Sequence, residues 1–200
     1  MRTGGTFRRD FFARPCLEVA PDLLGAYLVH RLRDGTRLAG RIVEVEAYLG
    51  DGSDPGSHGH RGVTPRNRAM FGPPGRLYVY RSYGIHVCAN VVCEPAGRGA
   101  AVLIRALEPV AGVAHMRAAR RLGAGAPERD IASGPGKLTQ ALGISLEHYG
   151  LSLLSGPISL RRPAPGSPHP RVAASARIGL TKGREHPYRF YVPDSPCVSR

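Results

Sequence analysis

The stretch Leu38–Tyr48, LAGRIVEVEAY, decides the fold because its alternating pattern predicts a long strand with two different faces. Side chains in a strand point alternately to the two faces of the sheet. One face is therefore expected to carry two carboxylates, and the other is expected to be apolar. The face with the carboxylates holds Ile42, Glu44 and Glu46, and the apolar face holds Val43, Val45 and Ala47.

A hairpin is predicted immediately before this strand. The run Ala26–Leu32 is strand-like, and Asp34-Gly35 follows it. An Asp-Gly pair favours a tight turn because glycine accepts positive φ without steric cost. Further strands are predicted at Arg76–Tyr83, His86–Glu94, Ala100–Leu107, Ala173–Leu180 and Tyr188–Val192. Helices are predicted at Cys16–Gly25, Val110–Leu122 and Lys137–Leu142.

The formal net charge of +13, from 28 Lys and Arg against 15 Asp and Glu, indicates a polyanionic partner. GC-rich coding accounts for the scarcity of lysine, found only at Lys137 and Lys182, but not for the excess of cations. Nucleic acid is favoured over an anionic membrane because no basic amphipathic helix stands out. No run is long enough to span a bilayer, and residues 1–12 lack the features of a secretory signal. We therefore expect a soluble, cytoplasmic protein.

The cysteines predict buried free thiols. Cys16, Cys88, Cys93 and Cys197 form no CxxC pair, so a zinc site has little support. The odd separation of Cys88 and Cys93 predicts that they point to opposite faces of one strand. A reducing compartment agrees with such unpaired thiols.

The segment Gly50–Gly75 is long for a loop inside a compact domain, which favours a functional or a disordered segment. It holds residue types that bind metals, but they lack the spacing of a known metal motif, so no metal is expected. These residues are Asp51, Asp54, His58 and His60.

Several stretches closely resemble the alkyladenine (3-methyladenine) DNA glycosylase family, in its bacterial form. The resemblance runs from about Asp10 to the C-terminus and keeps the order of the family's motifs, which is more specific than any single motif. The stretches are Arg41–Gly50, Thr64–Phe71, Gly75–Gly84 with Asn90 after it, Leu103–Pro109 and Ser133–Leu142.

The resemblance implies a monofunctional DNA glycosylase of base excision repair that works at the bacterial nucleoid. Such an enzyme binds duplex DNA, flips a damaged purine from the stack and hydrolyses its N-glycosidic bond, leaving an abasic site. The implied lesions are 3-methyladenine, 7-methylguanine, hypoxanthine and ethenoadenine. No cofactor and no lyase activity are expected, and the protein is expected to be a monomer.

Together, the strand pattern and the resemblance predict a mixed α+β fold: one domain over residues 1–200, with a curved, mainly antiparallel sheet and peripheral helices. Residues 1–9 are expected to be flexible. Residues 161–170 are Pro-rich and are expected to form a surface loop.

The resemblance assigns the chemistry to Glu46 and Arg105. Glu46 is the candidate general base that orients the water, and Arg105 joins it around that water. An ion-paired strand carboxylate is the alternative for Glu46, and Glu44 is its rival on the same face. Glu44 is interpreted as structural and paired to an arginine.

The family's base-stacking pocket corresponds to Tyr48, His58 and Tyr80. Core packing is the alternative for Tyr80, and a solvated loop histidine is the alternative for His58. Asn90 corresponds to the residue that excludes normal guanine by crowding its exocyclic amine. Tyr83 corresponds to the wedge that intercalates into DNA where the nucleotide has left.

Cationic residues flank these motifs, and several of them are expected to contact phosphates. A non-catalytic nucleic-acid-binding protein on the same scaffold is the alternative function, and a role on RNA is a further one. Glu46 together with Arg105 argues for the enzyme, because binding alone does not require that pair. The phosphate-binding candidates are Arg66, Arg68, Arg76, Arg81 and Lys137.

Overall fold

The structure is a computed structural model that describes residues 3–199. Within this range, nine strands form one sheet in which all of the strand pairings are antiparallel. The strands are β1 (Thr3–Thr6), β2 (Tyr27–Arg31), β3 (Arg37–Tyr48), β4 (Leu77–Ser82), β5 (His86–Cys93), β6 (Ala100–Ala111), β7 (Ile158–Pro163), β8 (Ala173–Ser175) and β9 (Arg189–Tyr191).

The sheet has the order β1-β7-β2-β3-β6-β5-β4, and β9 pairs with both β3 and β8. The two longest strands, β3 and β6, lie side by side at its centre. The hairpin predicted at Asp34-Gly35 joins β2 to β3, with Arg31 opposite Arg37 and φ of +86° at Gly35. The predicted fold class, a mixed α+β domain built on an antiparallel sheet, is confirmed.

Short helices pack at the periphery of the sheet. They are α1 (Arg9–Phe12), α2 (Cys16–Asp22), α3 (Val113–Ala119), α4 (Arg129–Ala132) and α5 (Pro135–Leu142), with 3₁₀ helices at Arg68–Phe71 and Leu146–His148. The main core forms between the sheet and these helices, and Leu23, Ile104 and Leu138 in it are fully buried. None of the helices in the described range is long and apolar enough to cross a membrane.

The predicted alternation in β3 is wrong at Ile42. The register with β6 shifts on both sides of Glu44, so a bulge interrupts the two-residue period there. Ile42 consequently packs in the main core with Val45, while Val43 packs in a separate cluster against Ala106. Glu44 and Glu46 still share one face, since both contact Arg105.

Several predicted element boundaries are also corrected. The helix expected at Val110–Leu122 is shorter, because β6 continues to Ala111 and Gly112 turns the chain with φ of +72° before α3. The strand expected at Ala173–Leu180 ends at Ser175, and the following residues form irregular backbone.

Parts of the segments 1–9 and 161–170 belong to strands of the sheet. Residues 1–9 were predicted to be flexible, but Thr3–Thr6 form β1 and pair with β7; residues 1 and 2 lie outside the described range. The predicted surface loop at 161–170 starts later, because β7 extends to Pro163 and is held between β1 and β2. The prediction of free, buried cysteines is confirmed for all four thiols.

Candidate active site

Four adjacent strands bring the two predicted catalytic residues and most of the predicted pocket residues to one region of the sheet. Their order is β3-β6-β5-β4, and the register aligns Glu46 with Leu103, Leu103 with Asn90, and Asn90 with Tyr78. Side chains that are far apart in the sequence therefore become neighbours across the strands. This pairing explains why the motifs occur in separate stretches of the chain.

Glu46 is fully buried, and three groups surround its carboxylate. Its Oε1 accepts a hydrogen bond of 2.7 Å from the backbone N–H of Ile178 and lies 3.2 Å from Nη1 of Arg105. Its Oε2 accepts a hydrogen bond of 2.8 Å from the hydroxyl of Tyr48. Tyr48, Arg105 and Ile178 all line an open cleft, so the carboxylate lies one layer beneath the cleft surface.

Arg105 links the two carboxylates of β3. Its Nε donates to Glu44 Oε1 at 2.9 Å, and its Nη2 donates to Ser199 Oγ at 3.1 Å. Glu44 also accepts from Arg189 Nε at 2.7 Å and from the backbone N–H of Ser199 at 2.6 Å. The predicted pairing of Glu44 with an arginine is confirmed, and its structural role stays a prediction.

The protonation states around Glu46 follow from burial and charge. Burial acts to lower the pKa of Arg105, but Glu46 and Glu44 outweigh it and the net shift is upward, so the guanidinium stays charged. Burial, followed by the nearby Glu46, raises the pKa of Tyr48 well above its ordinary value. Tyr48 therefore remains a neutral phenol that can donate to Glu46.

An aromatic cavity of about 60 Å³ lies beside this group. The rings of Tyr78 and Tyr80 stack with centroids 5.5 Å apart, and His58 meets Tyr80 edge-on at 4.5 Å. Burial raises the pKa of Tyr78 to about 12 and that of Tyr80 further, so both phenols are neutral. Tyr48, His58, Tyr80 and Asn90, the four residues that the resemblance assigns to a base pocket, all line this cavity. That the cavity binds a base stays a prediction.

His58 contacts the pocket with one side of its ring while part of its surface stays exposed. Its Nδ1 lies 2.9 Å from the hydroxyl of Tyr78. Its partial burial, followed by the positive charge of Arg66, lowers the pKa of His58. The imidazole is therefore neutral at pH 7, where it presents a neutral ring edge to the pocket.

Asn90 is buried, and its Nδ2 donates to the backbone carbonyl of Tyr78 at 3.0 Å. This bond to β4 orients the side-chain amide at the cavity wall.

Tyr78 itself was missed in the sequence. The signal was available, because Tyr78 and Tyr80 are two residues apart in a predicted strand and so share a face.

A larger cleft of about 400 Å³ adjoins the aromatic cavity and shares Tyr48, His58, Tyr80 and Leu180 with it. Tyr83 lies at its rim, at the tip of the β4–β5 hairpin, and is 82% exposed. Its φ of +49° is uncommon for a residue with a side chain. Its hydroxyl donates to the carbonyl of Gly179 across the cleft at 3.3 Å.

The predicted phosphate contacts fall into two groups. Arg66 lines the cleft and donates to the carbonyl of Arg81 at 3.0 Å, so both lie by the β4–β5 hairpin that carries Tyr83. Lys137 lies in the first turn of α5, next to Pro135, which lines the cleft. Arg68 and Arg76 do not line it, and Arg76 Nη1 donates to Gly150 O at 2.6 Å at the opposite end of β4.

The C-terminal segment 177–183 contributes residues that the sequence did not single out. The N–H of Ile178 binds Glu46, and Leu180 lines both the aromatic cavity and the cleft. Residues 177–180 belong to the strand predicted at Ala173–Leu180, and nothing local in the sequence indicates contact with a residue more than 130 positions away.

Comparison with known proteins identifies close relatives along nearly the full chain. One from Methanoculleus marisnigri is 52% identical over 197 residues, which are 98% of this chain and 99% of the relative. One from Rhodopseudomonas palustris is 51% identical over 197 residues, which cover 98% and 89% of the two chains. One from Leifsonia xyli is 50% identical over 197 residues, which cover 96% and 90%. Each is named "Putative 3-methyladenine DNA glycosylase".

The family model described as methylpurine-DNA glycosylase (MPG) matches residues 10–196. The match spans β2 to β9 and includes the residues that surround both Glu46 and the aromatic cavity. The chain therefore belongs to the methylpurine-DNA glycosylase family.

Proposed function

We propose that the protein is a monofunctional DNA glycosylase that hydrolyses the N-glycosidic bond of damaged purines in duplex DNA. The observation that carries this proposal is the group formed by Glu46, Arg105 and Tyr48 directly beside an aromatic cavity. A protein that only binds DNA has no need for a buried, oriented carboxylate next to its base pocket.

In the proposed reaction, Glu46 orients a water molecule toward C1′ of the flipped nucleotide. The C1′–N bond breaks and its electron pair leaves with the base, through an oxocarbenium-like state that a nearby carboxylate stabilises. A cationic alkylated purine thereby departs as a neutral base, whereas a neutral damaged purine takes up a proton from solvent as it leaves. The water oxygen forms the new bond to C1′, and its proton passes to Glu46.

The aromatic cavity selects the base in this proposal. Stacking on Tyr48 and Tyr80 contributes about 1–3 kcal/mol per base, and a cationic alkylated purine gains a further cation–π attraction. The Asn90 amide disfavours normal guanine, because its position at the cavity wall crowds the exocyclic amine. The substrate class is therefore alkylated or deaminated purines, including 3-methyladenine, 7-methylguanine, hypoxanthine and ethenoadenine.

DNA binding is assigned to the surface around the cleft. Tyr83 fills the gap left by the flipped nucleotide, and Arg66, Arg81 and Lys137 lie where phosphates would flank it. A lyase step needs an amine nucleophile, and neither lysine lines the cavity or the cleft in the described range. We expect a monomer that acts on chromosomal DNA in the cytoplasm.

The test uses duplexes that carry one lesion each, incubated with the protein and then treated with hot alkali to reveal abasic sites. Wild-type protein should cleave at one or more alkylated, deaminated or etheno purines. Glu46→Gln should lose about 10²–10⁴-fold in single-turnover rate while it still binds a duplex with an uncleavable abasic analogue. Glu147→Gln, at an exposed carboxylate, is the matched control. Absence of cleavage at every lesion would refute the enzyme, and full activity of Glu46→Gln would refute the assignment.

A further inference from the structure

A second buried ion pair lies behind the pocket, where the reaction does not use it. The Arg177 side chain is completely buried and forms a two-pronged pair with Asp54, with Nη1–Oδ2 and Nη2–Oδ1 distances of 2.6 Å each. Arg177 also donates to the carbonyls of Ala47 at 3.0 Å and Gly183 at 2.9 Å. One guanidinium thus binds three separate parts of the chain.

These three parts form walls of the site. Ala47 precedes Tyr48 at the end of β3. Asp54 organises the loop that leads to His58, because its carboxylate also accepts from the N–H groups of Leu49 at 3.2 Å and Gly56 at 3.0 Å. Gly183 ends the segment 177–183, which forms the C-terminal wall of the site because its Leu180 lines both the aromatic cavity and the cleft.

The pair is also close to the groups around Glu46 without touching the cavity. The Arg177 guanidinium lies over the Tyr48 ring, 4.6 Å from its centroid. The next residue, Ile178, donates its N–H to Glu46. A displacement of Arg177 would therefore move both a wall of the base pocket and a donor to the carboxylate.

The surroundings fit the guanidinium closely. A Cβ at Gly56 would lie 3.0 Å from Nη2 of Arg177, and one at Gly183 would lie 2.9 Å from the same atom. Both positions thus leave only the space that the guanidinium needs.

Nε of Arg177 is the one buried side-chain nitrogen or oxygen in residues 3–199 without a protein partner. An apolar pair of similar volume would often be as stable as such a buried ion pair, which favours a positioning role over a contribution to stability alone.

We propose that Arg177 and Asp54 are positioning residues for the glycosylase reaction, which fix Tyr48, the His58 loop and the Ile178 N–H in register with Glu46. The proposal rests on the proposed function. Neither residue touches the base or the reacting atoms, so their effect is on the rate of the chemical step and not on the capture of DNA.

The experiment measures two quantities for Arg177→Lys and Asp54→Asn. One is the single-turnover excision rate at saturating protein on a duplex with one lesion that the wild type cleaves. The other is the Kd for a duplex with an uncleavable abasic analogue. We expect a rate loss of about 10²-fold, the effect of a misplacement near 1 Å, with Kd changed by less than about twofold. Arg14→Lys and Asp22→Asn, in an exposed Arg–Asp pair of 2.8 Å, are the matched controls and should leave both quantities unchanged.

Thermal unfolding of each variant establishes that it is folded at the assay temperature. An unchanged rate in a folded variant would overturn the proposal, and so would equal losses in rate and affinity. If both variants are unfolded, the pair is purely structural and the proposal is wrong. A wild-type protein that cleaves no lesion would instead refute the proposed function, so the two failures are distinguishable.

Discussion

Tyr83 offers a sharp test of the proposed DNA contact, because the structure predicts that its side chain contributes to binding and not to folding. It is 82% exposed, and its side-chain hydrogen bond of 3.3 Å to the Gly179 carbonyl is exposed as well. Tyr83→Ala keeps a side-chain Cβ at the φ of +49°, so the backbone cost of that conformation remains. The free energy of unfolding should therefore change by less than about 0.5 kcal/mol.

The loss in binding should be much larger. Stacking of an aromatic ring on a base contributes about 1–3 kcal/mol. Removal of the Tyr83 ring should then weaken binding to a duplex with an abasic analogue by about 5- to 150-fold. Undamaged duplex, which has no gap to fill, should lose little affinity. Tyr83→Phe keeps the ring and should retain the wild-type preference within about twofold.

The assay is a fluorescence anisotropy titration of the two duplexes with each variant, beside urea unfolding of the free proteins. Loss of affinity for both duplexes to the same extent would show that Tyr83 contacts the DNA surface without entering it. Unchanged affinity of Tyr83→Ala for the abasic duplex would refute the wedge. A large loss in the free energy of unfolding would refute the structural premise.

Two further predictions concern charge. Glu44→Gln removes the buried partner of two arginines. It should lower the free energy of unfolding, measured by urea titration, by about 3–5 kcal/mol. A change below about 1 kcal/mol would mean that these ion pairs contribute little to stability. Plots of log K against log salt should fall by about 0.9 per phosphate contact. Arg66→Gln should make that slope shallower by about 0.9, the value for one phosphate contact. Arg76 donates to Gly150 away from the cleft, so Arg76→Gln should leave the slope unchanged. A larger effect of Arg76→Gln than of Arg66→Gln would place the DNA on another face.

The strands could be predicted from the sequence because local alternation and turn residues determine them. Asp34-Gly35 predicts the hairpin, and the mostly apolar run Ala100–Leu107 predicts the first part of β6. The end of β6 was not predicted, since Pro109 usually interrupts a strand, but here it pairs with Gly40 and the strand continues. The bulge at Glu44 was missed as well, because it depends on the register with β6 and not on the sequence of β3.

The candidate site could be predicted only in part, because some of its residues are brought together by contacts between distant parts of the chain and not by a local pattern. Motifs on β3, β4 and β5 identify residues whose position follows from the strand they occupy. Arg177 and Asp54 are 123 positions apart, and neither lies in a regular element, so no local pattern indicates their contact. The C-terminal wall of the pocket depends on such long-range contacts, and its residues were predicted as an ordinary strand.

The choice between Glu44 and Glu46 shows what geometry adds to resemblance. Both carboxylates lie on the same face and contact Arg105. Glu44 accepts from two arginines and from both the N–H and the hydroxyl of Ser199, so four donors occupy it. The Oε2 of Glu46 has the Tyr48 hydroxyl as its one protein donor within residues 3–199. A carboxylate oxygen accepts two hydrogen bonds, so this oxygen keeps a lone pair that a water molecule can use. Oε2 of Glu44 also has a single donor, the N–H of Ser199, so position and not the number of donors separates the two carboxylates. Glu46 binds Tyr48, which lines the aromatic cavity, whereas none of the donors to Glu44 lines it, and this favours Glu46 as the residue that acts on a bound base.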